Sequence, residues 1–127
     1  MNYLWVALGG ALGCVARYGC GELAVRLVGP SFPWNTLFVN VLGSLLIGML
    51  APLAVLGESW LSLPQARAFL IVGVCGGFTT FSSFSIETLN LARTGYSLLA
   101  VTYVLTSVLL CLLAVAIGYY VTSTVFR

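Results

Sequence analysis

The sequence contains no histidine, lysine or aspartate, and its few charged residues are five arginines and three glutamates. Histidine is the commonest metal ligand and general base, so its absence argues against a metalloenzyme. Neither histidine nor lysine is present to activate a nucleophile, and we therefore expect no enzymatic activity. The formal net charge of +2 is too small and too scattered for a nucleic-acid-binding surface.

Charged residues make up only 6% of the chain, whereas hydrophobic residues make up 61%. A soluble domain usually carries about 25% charged residues, so this composition indicates an integral membrane protein. The four cysteines lie within apolar segments and form no CxxC pair. This pattern favours free, buried thiols over a disulfide or a metal site. The N-terminus has no basic segment before its first apolar run, which argues against a cleavable signal peptide.

The 127 residues divide into four mostly apolar stretches, each long enough for a membrane helix of about 20 residues. They cover approximately residues 3–28, 34–56, 66–92 and 97–122. Glycine, proline or small polar residues separate them, at residues 29–33, 57–64 and 93–95, as turns require. We predict an all-α integral membrane protein in which residues 1–127 form one domain of four transmembrane helices.

The arginines do not specify an orientation in the membrane. With four spans, Arg67 and Arg127 fall on one side, and Arg26 and Arg93 fall on the other. Two positive charges against two leave no positive-inside bias. Either another feature sets one orientation, or the chain inserts both ways and pairs as an antiparallel dimer. The charges alone leave both open.

Residues 73–87, GVCGGFTTFSSFSIE, interrupt the third apolar stretch with two adjacent glycines and five hydroxyl side chains. Irregular polar backbone at membrane depth is tolerated only where it is buried in protein or lines a hydrated path. We expect the third helix to be broken near Gly76 and Gly77, which would free backbone carbonyls. This stretch is therefore the first candidate for a functional site.

Polar and small residues share one face on each predicted helix, because they recur at helical spacing. The faces consist of Gly9, Gly13, Arg17 and Gly21; Thr36, Asn40, Ser44 and Gly48; Thr80, Ser83, Phe84 and Glu87; and Tyr103, Ser107 and Cys111. Close helix packing explains the glycines. Arg17 is a costly charge that favours a water-filled vestibule. Asn40 is either a packing residue or an anion ligand, and the sequence leaves the two open.

Neutral donors outnumber charges on these faces, and phenylalanine rings add electropositive edges. Such a lining suits a small, hard anion, whereas freed carbonyls suit a small, hard cation such as sodium.

One rival function is a small proton-coupled multidrug exporter, which needs a carboxylate embedded in the first helix. Glu22 is the candidate there, but it lies late in the helix, four residues before Arg26. The other rival, a packing subunit without transport, would leave the hydroxyl-rich third helix unexplained.

Three strings closely resemble the Fluc (CrcB) family of fluoride channels: GGFTTFSSFSIE at residues 76–87, NTLFVNVLGSLLIG around Asn40 and GGALGCVARYG around Arg17. The resemblance covers nearly the whole chain. It implies a fluoride-selective channel that lets fluoride leave the cell passively across the bacterial inner membrane and so reduces its toxicity. It also implies an antiparallel, dual-topology homodimer with two pores lined by both subunits and a structural sodium ion at its centre.

The resemblance also implies residue roles by motif position. The pore would be lined by Phe ring edges, hydroxyls and an amide, from Asn40, Thr80, Phe81, Ser83, Phe84, Tyr103 and Ser107. Arg17 and Glu87 would lie in the vestibules at the pore entrances. Backbone carbonyls of Gly76 and Thr79 would hold the sodium ion.

Late in the fourth helix the family often carries a serine and then a threonine, where this chain has Cys111 and Val115. We expect this departure to slow conduction or change its rate-limiting step.

Overall fold

The computed structural model describes residues 2–55 and 60–126, and within them the chain is all-helical. The first helix is Tyr3–Val28 and the second is Trp34–Val55. A short 3-10 turn, Trp60–Ser62, precedes the third helix, and the fourth is Ser97–Val125. The prediction of an all-helical chain with four long helices is confirmed. Residues 56–59, which include the predicted end of the second helix at residue 56 and the start of the predicted turn, lie outside the described residues, as does Arg127, used in the charge count.

The third helix consists of two halves separated by a break. The first half, residues 64–78, is formed by the α-helical turn Pro64–Arg67, the π-helix Ala68–Cys75 and the α-helical turn Gly76–Phe78. Thr79 and Thr80 are extended, with φ −84°, ψ 158° and φ −151°, ψ 109°. The second half, Phe81–Arg93, is α-helical. A break in this helix was predicted, and one is present.

The position of the break differs from the prediction, because Gly76 and Gly77 are both helical and the chain unwinds at Thr79 and Thr80. Helix packing explains the correction. A Cβ on Gly77 would lie 2.6 Å from the carbonyl oxygen of Gly10 on the first helix. Gly77 therefore allows two helices to touch and does not unwind the chain. The second half of the helix starts after Thr80, because the Thr80 hydroxyl accepts the Ser83 N–H and so caps the new helix.

Glycines bring helix backbones into contact at two crossings. A Cβ on Gly13 would overlap the carbonyl oxygen of Val74 and lie 2.9 Å from the Phe78 nitrogen, so the first helix packs on the first half of the third. A Cβ on Gly118 would lie 2.5 Å from the carbonyl oxygen of Leu45, so the fourth helix packs on the second. Small residues commonly allow membrane helices to approach this closely.

The outer surface of the helices is apolar, as a lipid-facing surface would be. Among the described residues, three helices are long and apolar enough to cross a membrane by length and composition: Trp34–Val55, Pro64–Arg93 and Ser97–Val125. The first helix is 26 residues long and carries Arg17, Glu22 and Arg26. It is not among the three helices that are apolar enough to cross a membrane by this measure. Many large apolar side chains, such as Leu98 and Val15, point outward. These features are those of a membrane protein.

We predict that Gly13→Leu destabilises the fold by about 1–3 kcal/mol or more, because the new side chain would collide with backbone atoms that cannot move aside. Gly19→Leu is the matched control, since a Cβ at Gly19 meets no heavy atom within 4 Å. The measurement is the thermal unfolding midpoint of the purified protein in detergent. Equal midpoints for the two variants would show that the first crossing is not tightly packed.

Candidate functional site

The helix break is held by one side chain from the second helix. The Oδ1 atom of Asn40 accepts the Thr80 N–H at 2.7 Å, and its Nδ2 donates to the Thr80 carbonyl at 3.0 Å. The amide thus satisfies both backbone groups of the residue that leaves the helix. Asn40 therefore makes the packing hydrogen bond that was one of the two predicted alternatives. A primary amide carries two N–H donors, so one remains for another partner.

The hydroxyl groups of residues 79–88 divide into two sets. The Thr80 hydroxyl lies at the centre of the first, 3.0 Å from the Ser83 hydroxyl and 3.3 Å from the Ser82 hydroxyl. The second set bonds to its own helix: Thr79 donates to the Cys75 carbonyl at 3.0 Å, and Ser85 and Thr88 donate to the Phe81 and Phe84 carbonyls, both at 2.8 Å. Back-bonding of this kind is common for hydroxyls in helices. Only part of the hydroxyl-rich sequence therefore faces the break.

The break also removes the α-helical donors of several backbone carbonyls, among them those of Gly76 and Thr79. In a continuous helix the Gly76 carbonyl would accept the Thr80 N–H, and the Thr79 carbonyl would accept the Ser83 N–H. Those donors bond instead to Asn40 and to the Thr80 hydroxyl. The two carbonyls are the pair predicted to hold sodium, and carbonyl oxygen is a suitable ligand for such an ion. The donor set present in the chain therefore fits a small, hard cation.

The two predicted pore phenylalanines are neighbours with different surroundings. The ring centroids of Phe81 and Phe84 are 5.3 Å apart, with the planes inclined by 48°. Phe84 is buried in a cluster with Leu37 and Tyr103, and its centroid lies 5.2 Å from that of Tyr103. Phe81 begins the second half of the third helix and leaves 77% of its surface exposed. The break thus projects one aromatic ring away from the core of the chain.

Glu87 is held between two hydroxyl groups from two different helices. Its Oε1 atom accepts from Thr36 and its Oε2 atom from the fully buried Tyr103, each at 2.8 Å. Site prediction from the sequence named Glu87 and Tyr103 but not Thr36. The sequence did contain a signal for Thr36. Thr36 lies one helical turn before Asn40, and Glu87 lies two turns after Thr80 on the facing, antiparallel helix. Contact between Asn40 and Thr80 therefore places Thr36 and Glu87 on the same side of that contact.

Two cavities meet at the break. The first encloses about 440 Å³, and its lining includes Asn40, Gly76, Thr79, Phe81, Phe84 and Ser107. The second encloses about 570 Å³, and its lining includes Arg17, Glu22, Arg26, Thr36, Ser83 and Glu87. Thr80 lines both. Most of the predicted site residues therefore line one cavity or the other, and Tyr103 lies buried behind Glu87.

Charged side chains of the first helix border the second cavity. Arg17 donates from Nη2 to the Cys14 sulfur at 3.5 Å. Glu22 forms an ion pair with Arg26 at 3.7 Å and accepts from the Tyr18 hydroxyl at 3.2 Å. Glu22 and Arg26, four residues apart, thus form a surface ion pair. A half-exposed, paired carboxylate of this kind does not provide the embedded proton site that a multidrug exporter needs.

Ser107 contributes an unpaired polar group to the first cavity. Its side chain is 5% exposed, and its hydroxyl has no hydrogen-bonding partner in the described part of the chain. Burying a hydroxyl without a partner costs free energy. A polar guest in the cavity would supply that partner.

The chain matches the family model described as CrcB-like protein, Camphor Resistance (CrcB), over residues 4–119. Similar proteins include three named fluoride-specific ion channel FluC. The one from Rhodospirillum rubrum is 47% identical, covering 94% of this chain and 92% of the relative. Those from Nitrobacter winogradskyi and Thermus thermophilus are 50% and 53% identical, covering 96% and 93% of this chain and 95% and 92% of the relatives. Because these matches extend over nearly the whole chain, the protein belongs to the CrcB-like family.

Proposed function

We propose that this protein is a fluoride-selective channel through which fluoride leaves the cell passively, and that it thereby reduces fluoride toxicity. The observation that carries the proposal is the donor-lined break at Thr80, where two cavities meet, in a chain whose relatives are named fluoride-specific ion channels. Fluoride is small and strongly hydrated, so a protein path for it must replace water with donors of similar strength. The candidate site is rich in such donors.

The donors that support this proposal are neutral. Asn40 keeps one amide N–H beyond the pair it forms with Thr80, and Ser107 has a hydroxyl without a partner within the described chain. The electropositive edge of the Phe81 ring adds a further attraction. In this mechanism the anion passes along the first cavity by moving between these groups, and Arg17 attracts it from the second cavity. Several weak sites in series permit conduction, since one strong site would retain the ion.

We further propose that the functional unit is an antiparallel, dual-topology homodimer in the bacterial inner membrane. Two observations support it: Phe81 exposes 77% of a large aromatic side chain, and the arginines of the sequence are balanced between the two sides. Each pore would then be lined by both subunits. A sodium ion bound by the freed carbonyls of Gly76 and Thr79 would neutralise their partial charges and fix the broken helices at the dimer centre.

The function is tested by ion efflux from proteoliposomes that contain the purified protein. We expect rapid, passive loss of fluoride, read with a fluoride electrode, and little loss of chloride from matched vesicles. Selectivity for the smaller, harder anion follows from the neutral donors of the cavity. If folded protein released neither ion, or released both equally, a fluoride-selective channel would be excluded.

We predict that Asn40→Asp lowers fluoride flux by at least about tenfold, a change that corresponds to 1.4 kcal/mol. The carboxylate would repel an anion and would face the Thr80 carbonyl without the N–H that now bonds to it. Asn90→Asp makes the same chemical change at an exposed position of the third helix and serves as the control. Undiminished flux through the Asn40 variant would place this residue outside the pathway.

We predict that Phe81→Ile also lowers fluoride flux by about tenfold or more, because isoleucine has no electropositive ring edge. The variant should remain a dimer on size-exclusion chromatography, since isoleucine keeps the position apolar. Phe38→Ile, at a half-exposed position of the second helix, is the matched control. Flux equal to that of the control would remove the proposed role of the ring edge, and loss of the dimer would assign Phe81 to assembly instead.

A further inference from the structure

The first cavity contains a feature that fluoride conduction does not require, a free and partly exposed thiol. Cys111 lies on the fourth helix and lines this cavity together with Asn40, Phe81 and Phe84. It follows Ser107 by four residues, so both side chains lie on one face of the helix. The thiol and the proposed anion path therefore occupy the same space.

The unpaired hydroxyl of Ser107 is independent evidence that this part of the cavity accommodates a guest. Ser107 is 5% exposed, its oxygen has no partner in the described part of the chain, and it lines the same cavity as Cys111. An empty apolar space beside an unpaired hydroxyl is unfavourable. A small molecule that enters to meet the hydroxyl would pass within one helical turn of the thiol.

The other three cysteines differ from Cys111 in burial or in position. Cys14 is exposed but lines the second, larger cavity beside Arg17. Cys20 lines neither of the two cavities described here. Cys75 lines the first cavity but is buried, with 4% of its surface exposed. Cys111 combines access with a position in the first cavity.

We propose that Cys111 is a covalent modification site inside the conduction cavity, and that a small, neutral, thiol-directed electrophile attached there blocks fluoride flux reversibly. The proposal rests on the proposed channel function for its effect on flux, but not for the modification itself. The ligand class is a soft electrophile small enough for a cavity of about 440 Å³. A bulky reagent would not fit a cavity of this size.

S-methyl methanethiosulfonate is the probe, because it is small and uncharged. The Cys111 thiolate attacks the sulfur that carries the methyl group, a disulfide forms, and methanesulfinate leaves with the bonding electrons. The thiol proton is released to water. The product carries a methylthio group that projects from the fourth helix toward the side occupied by Asn40 and Phe84. Dithiothreitol reverses the reaction by thiol–disulfide exchange and restores the free thiol.

Two variants isolate the site in the reconstituted full chain. The first, Cys14→Ser with Cys20→Ser, keeps Cys75 and Cys111 as its two thiols. The second adds Cys111→Ser and so keeps Cys75 alone. Each variant is compared with its own untreated sample by intact mass and by fluoride efflux. The intact mass counts the methylthio groups and does not depend on conduction.

In the first variant we expect one methylthio group per chain and a loss of flux of about tenfold or more, because the methylthio group would stand in the path proposed for the anion. Dithiothreitol should restore both mass and flux. The second variant should gain no mass and lose no flux. Modification at Cys75, no modification at all, or a Cys111 adduct with unchanged flux would each overturn the proposal. If the untreated wild-type protein conducted no fluoride, the channel function would be refuted, and the mass alone would decide whether Cys111 is the modified thiol.

Discussion

The paired hydrogen bonds between the Asn40 amide and the backbone of Thr80 are the interaction on which the site depends. A helix that unwinds in apolar surroundings leaves N–H and C=O groups without partners, and each such group is costly. From a neighbouring helix, Asn40 accepts the Thr80 N–H that the break leaves without a helical partner, and it also donates to the Thr80 carbonyl. Because it does so, the third helix can restart at Phe81, backbone carbonyls at the break lose their helical donors, and a cavity lies on each side of Thr80.

The number of helices and the faces they present could be predicted from the sequence, because apolar length and residue spacing are local properties. The position of the break could not. A glycine pair permits either unwinding or close contact, and the choice at Gly77 is made by the backbone of Gly10, more than sixty positions away in the sequence. The roles of individual hydroxyl groups could not be predicted either, because they also depend on contacts that the residue type does not specify. Ser83 and Ser85 are chemically alike, yet one faces the Thr80 cluster and the other bonds to the Phe81 carbonyl.

Most of the described charged side chains near the site have a partner within the chain. Glu87 accepts a hydrogen bond at each carboxylate oxygen, from Thr36 and from Tyr103. Glu22 and Arg26 satisfy each other near the end of the first helix. Among the charged side chains of that helix, Arg17 has the weakest described partner, a thiol. A positive charge held this loosely beside a cavity suits attraction of an anion better than it suits structural pairing.

The π-helix Ala68–Cys75 has a consequence for how the length of this chain can vary. A π-helical turn corresponds to an α-helix that has accepted an additional residue, so the chain on either side keeps its direction and facing. Removal of a residue there would return the segment to α-helical geometry and leave Gly77 against the first helix and Thr80 against Asn40. The same removal after Phe81 would turn Glu87 away from its two hydroxyl partners. Length changes in the π-helix would therefore act first on the contact of Gly73 with Gly9, whereas length changes after Phe81 would act on the carboxylate of the site.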